Sequence, residues 1–419
     1  MIGLNRGLGS STLAFFAGFS AVALFGITVL RIGPELHLSL VEKSWLVAIP
    51  TLTGAFLRIP FSLMVDKWGR ITLLIQLLLG LLGQVGIVTV LENLSALPHQ
   101  QAYFLLLLFG ALAGTGISTF SSGITYVSYF FPQRRQGYAL GVFAGFGNSA
   151  PGIFTSVLPL ALSYLGLIYS YVAWATFLLI VIVVYFIISI DPPYFKLVKT
   201  GKTRLEAESE LRSMGLDIIP STNLVSSLRS SFKNTKVLFL TFMYFTSFGG
   251  FEALTEWFPI YWKGFLNVSP VEAGLLTGVV YSLLTALIRV PSGLISDKLG
   301  GELMSILSFS VLIAGSLIFI FARSVPTAVL AEILMAMGMG IGNGAVFKMV
   351  PEYAPRSVSG ASGLVGGLGS AGGLMIPPVM GYITSDFAYP LAFLVFTSIG
   401  LASLILSVRL LKSKEVVER

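Results

Sequence analysis

The sequence has no cysteine and only two histidines, His37 and His99, in 419 residues. A disulfide framework, thiolate catalysis and cysteine-based zinc or iron–sulfur sites are therefore excluded. Charge is also scarce. Asp, Glu, Lys and Arg make up 11% of the chain, against about 25% in an ordinary soluble domain. Hydrophobic residues supply 55%, and the mean hydropathy is +0.88. So little polar surface could not cover a soluble protein of this length. The composition reads as a polytopic membrane protein rather than the two or three globular domains that length alone suggests. No short basic, apolar and small-residue succession marks a cleavable leader, so the first apolar stretch is expected to be retained as a span.

A membrane crossing needs about 20 apolar residues. Twelve stretches qualify: 12–32, 44–65, 71–91, 102–128, 137–162, 166–190, 237–260, 271–295, 302–322, 327–350, 360–383 and 388–410. One long polar stretch interrupts them, Asp191 to Lys236, rich in Lys, Arg, Glu and Ser. The expected fold class is an all-α membrane protein of two six-helix bundles, residues 1–190 and 237–419, joined by a connector at 191–236.

The net charge of +7 is topological. With the N-terminus inside, 20 Lys and Arg residues fall in inner segments, Arg134, Arg135, Lys348 and Arg356 among them. Four fall outside: Arg31, Lys43, Lys263 and Arg323. The positive-inside rule then puts both termini in the cytoplasm of a multi-pass protein of the cell membrane. Nucleic-acid binding is not indicated.

Two of the 26 basic residues remain, Arg58 and Arg289, and they occupy a repeated phrase. Arg58-Ile59-Pro60 is followed by Asp66-Lys67-Trp68-Gly69, and Arg289-Val290-Pro291 by Asp297-Lys298-Leu299-Gly300, every matched pair 231 residues apart. A second echo, offset by 222, links Gly141, Ala144, Gly145, Gly147 and Asn148 to Gly363, Gly366, Gly367, Gly369 and Ser370. Homologous halves point to a repeat-built transporter.

An arginine inside a membrane costs about 2.5–3.5 kcal/mol on insertion scales and marks function by default. At a rise of about 1.5 Å per residue, Arg58 lies about 12 Å above Asp66, and Arg289 as far above Asp297. Parallel repeats preserve depth, so the two guanidinium groups are expected to face one another. Counted in the same way, no carboxylate shares their depth. Glu252, Glu256 and Glu332 lie inside spans but toward the outer side, where Glu252 and Glu256 could form a proton site or merely a solvated vestibule face. Two unpaired cations suit a mobile anion, and the planar guanidinium fork suits a small flat oxyanion such as nitrate, nitrite or a carboxylate. The plain alternative is that both arginines bond helix carbonyls freed by Pro60 and Pro291. Tyr244, eight residues past Lys236, shares the height, with Phe248 one turn on. Asn148 could donate an amide hydrogen bond, and Phe120 could wall the site. The glycines of spans five and eleven let helix backbones approach and slide. Gly367-x-Gly369-x-x-Gly372 imitates a dinucleotide fingerprint only as text, because it follows no strand.

These phrases resemble the major facilitator superfamily and, within it, the nitrate/nitrite porter family. Asp66-Lys67-Trp68-Gly69-Arg70 and Gly293-x-x-x-Asp297-Lys298-x-Gly300 look like the superfamily's inner gating loop. Gly54-x-x-x-Arg58-Ile59-Pro60, Ala144-Gly145-Phe146-Gly147-Asn148-Ser149, the run Gly342 to Glu352, and the glycine string ending Pro377-Pro378 match the porters more specifically. The likeness covers all twelve spans. Ser62 and Ala150 stand where glycines are expected, and Gly18 near an expected tryptophan. The resemblance implies that Arg58 and Arg289 clamp the anion, with Tyr244, Asn148 and Ser370 as polar neighbours and Phe120 and Phe248 shaping the cavity.

The implied function is alternating-access transport of nitrate or nitrite by a monomer without cofactor or metal. With no carboxylate expected beside the arginines, nitrate/nitrite exchange is slightly favoured over proton-coupled uptake. Other readings are a carrier of formate or a small carboxylate, a nitrate sensor, and an intramembrane enzyme. The enzyme would need a nucleophile with a base, or a metal cluster, at membrane depth.

Overall fold

The computed structural model describes residues 2–216, 224–355 and 357–418. The connector stretch 217–223, Arg356 and Arg419 lie outside the described residues, as does the side chain of Arg134. Among the described residues there is no strand.

Ten helices are long and apolar enough to cross a membrane, and two broken helices complete the twelve. In chain order they are α1 (Asn5–Glu35), α2 (Leu40–Phe56 with Arg58–Trp68), α3 (Arg70–Glu92), α4 (His99–Ser128), α5 (Gln133–Asn148 with Ala150–Tyr164) and α6 (Gly166–Ile188). Then follow α7 (Thr235–Gly264), α8 (Pro270–Leu299), α9 (Gly301–Phe321), α10 (Val325–Tyr353), α11 (Gly360–Asp386) and α12 (Tyr389–Lys414).

The breaks have local causes. α2 bends by 42° at Leu57; Pro60 has no N–H to donate four residues back, so the ladder cannot run through. α5 breaks at Ser149 for the same reason, with Pro151 at the start of its second piece. α7 contains a wide π turn at Phe245–Gly249 and α8 another at Leu276–Leu283, a feature frequent at functional sites. Between α6 and α7 run short helices, of which Arg204–Ser213 starts in a capping box. The hydroxyl and N–H of Thr203 hold the Glu206 carboxyl below its ordinary range.

The repeat is visible in the turns. Both loops that resemble gating loops reverse on a glycine at positive φ, Gly69 at +51° and Gly300 at +88°, which a side chain would strain. Arg70 donates to the Ser189 carbonyl at 2.7 Å and lies 3.7 Å from Asp191. Asp66 accepts from the Tyr129 hydroxyl. In the second half Lys348 Nζ donates to the Ser296 carbonyl at 2.5 Å and stands 3.9 Å from Asp297 and 3.4 Å from Glu352. Lys67 and Lys298 are exposed. These groups gather at one end of the bundle, the basic end.

Packing across the repeat differs between the two ends. Away from the basic end, α5 and α8 meet backbone to backbone: a Cβ on Gly278 would sit 2.5 Å from the Gly152 carbonyl oxygen, and one on Gly152 would sit 2.7 Å from that of Gly278. Toward the basic end the same two helices pack less closely: a Cβ on Gly145 would lie 3.4 Å from Val290. A Cβ on Gly141 or on Gly293 would meet nothing within 4 Å. These two helices are tightly packed at one end and less so at the other.

Gly18 has its own explanation. A Cβ there would strike the Gly116 carbonyl and lie 2.8 Å from Thr119 Oγ1, so α1 and α4 leave no room for the tryptophan that the resemblance suggested.

The packing predicts opposite outcomes for two glycines. Gly278→Val should lower stability by about 1–3 kcal/mol through overpacking. Gly141→Ala should leave it unchanged or raise it by up to about 1 kcal/mol through helix propensity. Thermal unfolding in detergent checks both.

Candidate functional site

Side chains lean toward the N-terminus of their own helix. Because α2 and α7 run in opposite directions, Arg58 and Glu252 lean toward each other, and the two long side chains meet. Arg58 Nη2 lies 3.0 Å from Glu252 Oε1, and both side chains are 0% exposed. Nε of Arg58 donates to the Gly54 carbonyl at 3.1 Å, and Nη1 to the Gly366 carbonyl at 2.8 Å. Glu252 is held on its other side by Ser370, whose hydroxyl donates to Oε2 at 2.5 Å.

This corrects the expectation that no carboxylate accompanies the arginines. Counting depth along the backbone misses the reach of both side chains. The solvated-vestibule reading of Glu252 and Glu256 is also wrong, since both are fully buried. The helix-carbonyl alternative describes part of Arg58's surroundings, although its carbonyls come from the bend in α2 and from α11.

Arg289 is in a different condition. It forms no ion pair among the described residues, and its Nη1 is buried without a hydrogen-bond partner. Tyr244 interacts electrostatically with both arginines, and its buried Oη lies beside the Arg289 guanidinium without completing a hydrogen bond of good geometry. Two buried donors without acceptors leave a desolvation cost of about 1–3 kcal/mol each.

Phe120 and Phe248 bring the arginines together. Arg58 Cζ lies 5.1 and 5.2 Å from the two ring centroids, and Arg289 Cζ lies 5.7 Å from each. The rings are 5.8 Å apart and 21° from parallel. Their faces therefore serve both cations, an interaction worth about 2 kcal/mol or more once desolvated. The π turn helps to arrange this face, because Tyr244 stacks on Phe248 at 4.9 Å. Sequence reasoning missed Phe347, which closes the aromatic wall 5.1 Å from Tyr244 and 6.3 Å from Phe120. Its signal lay in the run Gly342 to Glu352, where only Lys348 attracted attention.

Asn148 is placed less simply. Its Nδ2 donates to the Ala144 carbonyl at 2.7 Å, within its own helix, and its Oδ1 is buried and unpartnered. One of the two amide hydrogens is thus engaged within the helix. The named glycines are packing surfaces. Gly147 lies under the Phe15 ring, Gly145 would put a Cβ 3.4 Å from Val290, Gly367 one 3.4 Å from Ile59, and Gly369 one 2.7 Å from the Tyr244 ring.

Among the described residues no cluster of His, Asp and Glu could hold a metal ion. What the arrangement offers is cationic: two guanidinium groups on one pair of rings, one of them neutralised by an internal carboxylate.

Breaking a buried ion pair from one side costs about 3–5 kcal/mol, because the remaining charge is left uncompensated. Arg58→Ala should therefore destabilise the protein by that order. Adding Glu252→Gln to Arg58→Ala should recover a substantial part of the loss. A thermal-stability cycle over the two single variants and the double variant checks the coupling.

The comparisons with known proteins agree with this architecture. The family model of the Major Facilitator Superfamily matches residues 11–322 and 262–419. Among curated proteins, the chain is 25% identical over 401 residues to a nitrite extrusion protein of Bacillus subtilis, covering 95% of this chain and 92% of that one. It is 29% identical to a probable nitrate/nitrite antiporter, NarK1, of Thermus thermophilus, covering 90% and 84%. It is 27% identical to a probable nitrate transporter, NarT, of Staphylococcus epidermidis, covering 97% and 96%. Among solved structures, a partially occluded inward-open form of the xylose transporter XylE from E. coli superposes with a TM-score of 0.70 at 15% identity, over 96% of this chain and 98% of that one; this likeness concerns the fold. With twelve crossings in a repeat-built bundle and a family model that spans nearly its whole length, the chain belongs to the Major Facilitator Superfamily and is a multi-pass membrane transporter, not an enzyme.

Proposed function

We propose that this protein carries nitrate, nitrite or both across the cell membrane, holding the anion between Arg58 and Arg289. The observation that carries the reading is the pair of buried donors without acceptors, Arg289 Nη1 and Tyr244 Oη, beside a second guanidinium on the same aromatic rings. A planar oxyanion placed there would accept from Arg289, Tyr244 and the free N–H of Arg58 Nη2. The names of the sequence relatives support the same substrate class.

Transport would follow from the repeat. The halves 1–190 and 237–419, linked by 191–236, would rock about the site. The end that is tightly packed here through Gly152 and Gly278 would open as the basic end shuts. Positive-inside counting makes the basic end cytoplasmic. Asp66, Lys67, Gly69 and Arg70, with Gly293, Asp297 and Lys298, would form its gate. A carrier of formate or a small carboxylate would use the same donors, and competition against labelled nitrate separates the two.

Lysine keeps the charge of arginine but not the planar fork. Arg289→Lys should weaken nitrate binding at least about 100-fold, roughly two lost charge-assisted hydrogen bonds, while the protein still inserts and folds. Equilibrium binding to purified protein checks this. Affinity within a few-fold of the parent would refute the clamp.

Lys348 answers to a different expectation. It bonds at the basic end and not at the rings, so Lys348→Ala should keep nitrate affinity within about threefold while turnover in liposomes falls. Loss of equilibrium binding would move Lys348 into the site.

A further inference from the structure

Were both guanidinium groups bare, closing the empty carrier would bury two unpaired charges at a high cost, and exchange would be favoured. The structure removes that premise. Arg58 carries its own counter-ion, so the anion-free site holds a single net positive charge, on Arg289.

We propose that Glu252 is an internal stand-in for the transported anion and the group that couples its movement to a proton, an inference that rests on the nitrate/nitrite reading above. In the empty carrier Glu252 neutralises Arg58 and allows the closed site to reorient. An entering anion competes with Glu252 for Arg58 Nη2, because Nε and Nη1 of that guanidinium are already engaged by Gly54 and Gly366. Once displaced, Glu252 keeps only the Ser370 hydroxyl. A carboxylate in a dry bundle with one neutral hydrogen bond takes up a proton rather than remain charged. The loaded site then holds two guanidinium groups, one anion and a neutral carboxyl, and its net charge equals that of the empty site. One anion and one proton enter together, and both leave together.

The surroundings of Glu252 leave few rivals for this proton. Its own helix contributes Tyr244 and Glu256; α2 contributes Arg58, and α8 contributes Arg289 beside Arg58 and Tyr281, whose hydroxyl donates to the Gly250 carbonyl. α11 faces it with Ser370 and Gly373, and its titratable groups Tyr382 and Asp386 lie at the far end. On α1, Arg6, Arg31 and Glu35 stand near the helix ends. On α10, Glu332 is engaged by the Trp262 indole N–H at 3.2 Å. Glu256, one turn along α7 toward the tightly packed end, has both carboxylate oxygens buried without a partner. It is a way station for the proton on that side, and the α1 backbone crosses it at Gly26, where a Cβ would lie 3.2 Å from the Glu256 carbonyl.

The test uses the full-length protein in proteoliposomes with an internal pH dye, and in detergent for binding. Labelled nitrate should enter nitrite-free vesicles under an inward proton gradient and acidify the lumen as it does so. Nitrate affinity should fall about tenfold per pH unit between the titration of Glu252 paired with Arg58 and that of the displaced carboxyl, because in that window loading requires a proton that the empty state lacks. In Glu252→Gln that pH dependence should vanish, and the ratio of net uptake to nitrate/nitrite counterflow should drop at least tenfold. Net nitrate uptake without lumen acidification, counterflow with no proton-driven net uptake in the parent, or affinity independent of pH would overturn the coupling role and leave the nitrate/nitrite reading intact. Absence of both nitrate binding and counterflow would overturn that reading itself. Should Glu252→Gln fail to fold, the parent's proton flux and pH dependence decide alone.

Discussion

A buried salt bridge between α2 and α7, Arg58 with Glu252, is the interaction on which the centre of this bundle depends. Removing either partner would leave the other charge buried and uncompensated. Around that pair the other parts fall into place. The bend in α2 supplies one carbonyl, α11 supplies another together with a serine hydroxyl, and two phenyl rings cover the cation. Both α2 and α11 therefore meet α7 through polar atoms at the same depth. Three helices that a hydropathy profile treats as interchangeable apolar rods are fixed in rotation by one guanidinium group.

The internal repeat makes the contrast with Arg289 informative. The two arginines occupy equivalent places in the sequence, 231 residues apart, yet among the described residues only Arg58 has an internal counter-ion. The loops below them differ in the same sense. Asp66 is bonded to Tyr129 and Arg70 reaches the start of the connector, whereas Asp297 is 65% exposed beside Lys348. Homology of pattern set the positions, and the neighbours broke the symmetry. At α7 the break comes from a carboxylate at Glu252; the corresponding face of α1 carries phenylalanines, with Phe19 stacked on Phe248 at 6.1 Å.

Much of this was legible in the sequence because two signals are loud in a membrane chain. Twenty-residue apolar stretches give the crossings, and an arginine inside one of them is costly enough to mark the centre. Tyr244, Phe248 and Phe120 could be placed near it by helical spacing. What stayed hidden has physical causes. Gly54 and Gly366 contribute backbone oxygens, which have no side-chain signature. Glu252 was assigned to the outer side because depth was counted between Cα atoms, although an arginine and a glutamate leaning toward each other close a gap of several ångströms. The π turn in α7 also alters the face on which later residues fall, and no residue type announces it. Nor does the sequence show that the Asn148 amide also bonds a carbonyl of its own helix.

The aromatic wall has a consequence for which ions could rest against it. Phe120, Phe248 and Phe347 offer no hydrogen bond in place of a lost water molecule, and the faces of Phe120 and Phe248 already serve guanidinium groups. An ion seated there would have to leave most of its hydration shell behind and recover the loss from very few N–H and O–H groups on one side. Compact, strongly hydrated anions fare worst in that exchange, and multiply charged ones worse still. Flat, diffuse monovalent ions surrender their water most readily. A wall of this construction would select anions by how loosely they hold water before it selected them by shape.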